Sequence, residues 1–192
     1  MRKIILIAIL ILVFAITGFL VWRYFTTPVI IITNFDECAA KGYPILESYP
    51  RQCKTPDGKT FVEDIGNELE KINLIRINNP RPNDLVESPL FIKGEARGFW
   101  FFEADFPVKL FDSNGFLLGI TPAQAQGDWM TEDFVSFQTT LLFAVPSTPK
   151  GRLILEKDNP SGLPEQADEL IIPVYFKEVP KISEEFMTVK IF

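Results

Sequence analysis

Residues 99–119 read FWFFEADFPVKLFDSNGFLLG, and their alternation sets the architecture expected of the chain. Trp100, Phe102, Ala104, Phe106, Val108 and Leu110 share one parity. Phe101, Glu103, Asp105, Pro107, Lys109 and Phe111 share the other. Successive strand side chains point to opposite faces, so the pattern predicts a half-buried strand with the even residues inside. Asp112-Ser113-Asn114-Gly115 supplies turn chemistry, because Asn and Gly accept positive φ cheaply. A partner strand then starts at Phe116, and this hairpin seeds a β-sandwich.

Strand patterns recur on both sides at sandwich spacing, with turn residues between them. They cover Ile72 to Ile77, Pro89 to Arg97, Val135 to Phe143, Arg152 to Lys157 and Glu169 to Lys177. With the central hairpin this makes an all-β, seven-stranded sandwich over residues 72–178. Residues 179–192 alternate at Met187, Val189 and Ile191, as an edge strand or a loose tail would.

Ile4 to Trp22 is an apolar run interrupted only by Thr17 and Gly18. About 20 such residues cross a bilayer as a helix. Arg2 and Lys3 precede it, and only Arg23 follows closely. The positive-inside bias places the N-terminus in the cytoplasm and the rest outside. A cleaved signal peptide would need a shorter apolar core and a small-x-small site, and neither Val21-Trp22-Arg23 nor Tyr24-Phe25-Thr26 fits. A signal anchor over residues 1–24 and a bilayer contact through residues 4–22 are therefore expected, giving a single-pass protein of the cell membrane.

Residues 25–33 read as a linker and 34–64 as a small module. Thr33 and Asp36 have capping-box spacing, Gly42 suits a helix C-terminus, and Pro56-Asp57-Gly58 marks a tight hairpin. Cys38 and Cys53 are the only cysteines. Outside the membrane they tend to oxidise, and so small a module needs a staple, so a structural disulfide is expected. Their spacing is unlike the Cys-x-x-Cys of redox sites. Residues 65–71 form a polar connector.

Composition removes several classes of function. The chain of 192 residues has 25 acidic and 19 basic side chains, net −6. The first 24 residues hold three of the cations and no acid, which leaves −9 on the remainder. Nucleic acid is an unsuitable partner for such a surface. There is no histidine, so a Ser-His-Asp triad is impossible and a zinc site lacks ligands. No metal and no cofactor is expected.

Glu103 and Asp105 would stand about 7 Å apart on one strand face, a spacing inverting glycosidases use. On an outward face solvent keeps both ionised, so surface charge is the simpler reading. Asp112-Ser113-Asn114-Gly115 opens like a calcium loop but places Phe116 where a ligand is needed. Asp158, Asn159, Asp168 and Glu169 could surround the Pro160-Ser161-Gly162 turn, fixing it by hydrogen bonds or, alternatively, holding a cation. The outward aromatics Phe91, Phe101, Phe111 and Tyr175 could form a ligand-contact platform, unless the small module or the tail covers them.

The blocks VESPLFIKGEARGFWFFEADFPVKLFDSNG, GDWMTEDFVSF, LEKDNPSGLPE and IIPVYF, in that order, resemble the immunoglobulin-like domain of bacterial spore germination proteins. The resemblance spans Ile72 to Phe176. It implies an immunoglobulin-like sandwich, usually extracytoplasmic, with no catalytic residues to carry over. CAAKGYPILESYPRQCKTPDGKTF looks like a two-cysteine module that precedes such domains in bacterial envelope proteins. Nothing here resembles the germination domain that accompanies it in spore formers, so no sporulation role is inferred.

The expected function is a membrane-anchored binding or structural protein of the bacterial envelope, with an envelope protein or a glycan as partner. Two alternatives are a hydrolase using the paired carboxylates or an acidic metal loop, and an accessory subunit of an envelope complex.

Overall fold

A computed structural model of the chain describes residues 2–26 and 31–177. The expected edge strand or tail at 179–192 lies outside the described residues. The chain divides into two compact units, Met1–Val62 and Glu63–Phe192.

The first unit opens with helix α1, Arg2–Thr26, 25 residues long. Among the described residues no helix is long and apolar enough to cross a membrane.

Helix α2, Phe35–Ala40, begins one residue later than the capping-box spacing suggested. Asn34 caps it by accepting the Glu37 N–H, and the Glu37 carboxylate reaches back to the backbone N–H and hydroxyl of Thr33 at 2.8 and 2.9 Å. Those bonds, the backbone one foremost, hold the Glu37 carboxyl below the ordinary carboxylate range. Gly42 ends the turn at φ +73, where a Cβ would be strained. A three-stranded antiparallel sheet follows, from β1 Ile45–Leu46, β2 Gln52–Lys54 and β3 Thr60–Val62. Cys38 on α2 and Cys53 on β2 are joined in a disulfide. Both are fully buried and form the core of the module with Phe35.

The second unit starts with the short helix α3, Glu68–Lys71. Eight strands follow: β4 Ile75–Asn79, β5 Leu85–Val86, β6 Leu90–Arg97, β7 Asp105–Asp112, β8 Leu117–Ala125, β9 Phe134–Leu141, β10 Lys150–Glu156 and β11 Glu169–Phe176. They pair in the order β4-β6-β9-β8-β7-β10-β11-β5. β8 meets β9 only at Gln124 and Ala125, so the sheet folds there into two layers. The Phe106 ring of β7 packs edge-on against Phe137 of β9, 4.9 Å between centroids, although these strands are not neighbours. That contact marks the inside of the sandwich. β7, β10 and β11 alternate strictly, with Phe106, Val108, Leu110, Leu153, Leu155, Leu170, Ile172 and Val174 all buried.

The count of seven strands is corrected to eight in this sheet. The strand missed is β5, two residues that pair in parallel with Tyr175 and Phe176 at the β11 edge. Two residues are too few to show a period. β5 and Asn67, whose side chain bonds the backbone of Glu169 and Ile171, satisfy an edge that would otherwise be open.

The single strand expected from Trp100 is also corrected. Gly98–Trp100 forms a 3-10 turn, and Glu103 and Ala104 take positive φ of 51 and 68. A tight turn, closed by a Phe102–Asp105 bridge, therefore precedes β7. Parity reverses across it. Phe101 is 4% exposed and Phe102 is 42% exposed, the opposite of simple alternation.

The β7–β8 turn is built around the buried Asp112. Its carboxylate accepts from the Ser147 hydroxyl and from the N–H groups of Asn114 and Phe116. These bonds, that of Ser147 foremost, hold Asp112 below the ordinary carboxylate range. A folded pKa below the unfolded value of ~3.9 contributes stability above that value and loses it as pH falls through the folded one. Urea midpoints should accordingly separate wild type from Asp112→Asn most at neutral pH, with the gap narrowing toward pH ~2. A gap constant with pH would mean that the ionised carboxylate contributes nothing.

Candidate binding surface at one end of the sandwich

Three connections meet at one end of the sandwich: residues 98–104 between β6 and β7, 126–133 between β8 and β9, and 157–168 between β10 and β11. The backbone ties them together. Gly98 N–H donates to the Asp133 carbonyl, and the Asp158 N–H donates to the Trp100 carbonyl. A Cβ built on Gly98 would fall 1.9 Å from the Thr131 carbonyl oxygen, so only glycine permits this approach. Arg97 adds a bond from its guanidinium to the Glu132 carbonyl at 3.1 Å.

Trp100 anchors the group and is fully buried. Its indole N–H has no partner, the one such buried side-chain atom among the described residues. Around it the loops present large apolar side chains to solvent: Phe99, Phe102, Met130 and Leu163. The 157–168 loop holds its own shape. Asn159 donates to the Leu163 carbonyl at 2.8 Å, and Ser161 donates to Asn159 at 2.6 Å.

Beside these loops lies a cleft of about 730 Å³, lined among others by Asn67, Lys71, Glu156, Asp158 and Asp168. Three of the seven charged side chains that line it are in ion pairs. Lys71 pairs with Asp168 at 2.5 Å and Lys109 with Glu156 at 2.7 Å. Asp158 is in neither pair. Burial pushes its carboxyl above the ordinary value, and the negative charges of Asp105 and Glu103 add to that.

The candidate residues fare unequally. Glu103 and Asp105 do not share a strand face, because Glu103 sits exposed in the turn and Asp105 begins β7. The spacing argument for paired catalytic carboxylates therefore fails. Asp158, Asn159, Asp168 and Glu169 do gather near the 157–168 loop. Even so, among the described residues no group of three or more acidic or cysteine side chains is placed to hold a metal ion.

The aromatic platform is corrected as well. Phe101 is inside, its ring 5.1 Å from that of Phe106. Phe91 is exposed, but on the outer side of β6 in the other layer. Phe111 and Tyr175 lie on the outer side of β7 and β11, flanking β10, with Lys150 over the Tyr175 ring at 4.9 Å. The four do not converge. The exposed large apolar residues on the three joined loops are instead Phe99, Phe102, Met130 and Leu163. Their signals in sequence were the Gly98 break in alternation and the Gly127-Asp128 and Ser161-Gly162 turns, which put apolar side chains on loops.

Nothing among curated proteins or solved structures matches the chain. Residues 74–162 match the family model of the immunoglobulin-like domain of bacterial spore germination, beginning just before β4 and ending in the 157–168 loop. Fold and family model agree: this part of the chain is all-β and similar to that immunoglobulin-like domain.

Proposed function

We propose that the chain is a membrane-anchored, extracytoplasmic binding protein of the bacterial envelope, held by residues 4–22 and acting through the loop end of the sandwich. The observation that carries this reading is the character of α1. Its large apolar side chains from Ile9 to Trp22 are exposed on every side, from 51% at Val13 and Ile16 to 70% at Phe14. A helix that is apolar all round is stable only inside protein or lipid. The buried Cys38–Cys53 disulfide supports an oxidising compartment. Domains of the matched family are not typically catalytic, which favours recognition over catalysis.

Fractionation tests the anchor. The full chain, expressed in bacteria, should stay with membranes after alkaline carbonate extraction, and a chain lacking residues 2–26 should not. Its two cysteines should resist alkylation until reduced. Full-length protein in the carbonate supernatant would overturn the anchor, and freely alkylated cysteines would overturn the extracytoplasmic placement.

A further inference from the structure

We infer that the loop end of the sandwich docks a cationic polypeptide segment bearing apolar side chains, supplied by another envelope protein. This rests on the binding role proposed above and names the partner class. Four apolar side chains stand out from three different loops: Phe99 is 51% exposed, Phe102 42%, Met130 77% and Leu163 50%. The same loops carry seven carboxylates, on Glu103, Asp128, Glu132, Asp133, Asp158, Glu165 and Asp168, against one ammonium, on Lys157. That ammonium is already engaged, 6.0 Å over the Phe99 ring. The carboxylates of Glu132 and Glu165 are exposed and bond to no other side chain among the described residues.

An apolar patch ringed by charge of one sign selects a partner of the opposite sign. Nucleic acid is repelled. A neutral glycan would use the aromatic faces but leave the excess of acid unmatched and the aliphatic Met130 and Leu163 without apolar partners. A polypeptide with lysine or arginine beside aliphatic side chains satisfies both features. Methionine at the most exposed position adapts to more than one side-chain shape. The loops themselves are fixed by backbone bonds at Gly98 and Asp158, so the surface is formed before the partner arrives.

The test uses the full chain in uncharged detergent micelles, with empty micelles titrated in parallel. The probes are three: a labelled peptide of Lys-Ser-Leu repeats, its counterpart with glutamate for lysine, and a soluble chitin oligosaccharide. The lysine peptide should bind at least about tenfold more tightly than the glutamate peptide, and raising salt from about 20 to about 300 mM should weaken it. E132K/E165K should weaken it about tenfold, as should M130S/L163S, because both kinds of contact are needed. D84K/E87K makes the same change in charge at the opposite end of the sandwich, beside β5, and should leave binding in place. Equal weakening by the two charge reversals would reduce the effect to overall charge and overturn the inference. So would preference for the glutamate peptide, binding of the oligosaccharide alone, or indifference to M130S/L163S. These results do not depend on fractionation, so a failed docking surface and a failed membrane anchor are distinguishable.

Discussion

Replacing Phe106 by alanine should cost the sandwich about 3–5 kcal/mol, the usual loss for a large aromatic removed from a packed interior. Phe106 is fully buried and touches both Phe137 across the two layers and Phe101 from the preceding turn. Its removal opens a cavity at the point where the layers meet, and neighbours on two sheets cannot both move in to fill it. A domain held by about 5–15 kcal/mol would lose a large part of its stability. Phe102→Ala is the control. That side chain is 42% exposed, and surface changes usually stay within ~0.5 kcal/mol. Urea unfolding followed by tryptophan fluorescence measures both. Equal losses would mean that alternation runs unbroken through Glu103 and Ala104 and that the tight turn is wrong.

The second large effect belongs to the small module. A Cys38→Ala, Cys53→Ala double variant should lose about 3 kcal/mol in the chain-entropy account of a loop of this length. Sequence separation across the bridge is 15 residues. The module has little else to hold it: three buried apolar side chains among the described residues, two of them the cysteines, with Ile32, Ala39, Tyr43 and Phe61 partly buried beside them. Hydrogen exchange should show amides of residues 34–62 losing protection. Those of β6, β7 and β10 should keep theirs, because their buried cluster draws only on residues from Ile75 onward. Loss of protection in both places would show that the sandwich draws stability from the module.

Much of this architecture was legible in the order of the residues. Strict alternation in 105–112, 150–156 and 169–176 determined which side chains face inward, since a strand buried on one face leaves no freedom of register. Asp112-Ser113-Asn114-Gly115 specified its turn, and two cysteines on a short polar module specified their disulfide. Three things were decided only by tertiary structure. The turn at Glu103 and Ala104 uses residues with no turn preference and is imposed by the loops packed on either side, so the faces of Phe101 and Phe102 were exchanged. The strand β5 exists because β11 has an edge that must be covered. Phe99, Phe102, Met130 and Leu163, apart in sequence, came to the same end of the sandwich when the Gly98 backbone met the Trp129 and Thr131 carbonyls and Asp158 bonded to Trp100. Local pattern determines what each strand buries. Which loops meet depends on contacts between residues far apart along the chain, and no short-range period records them.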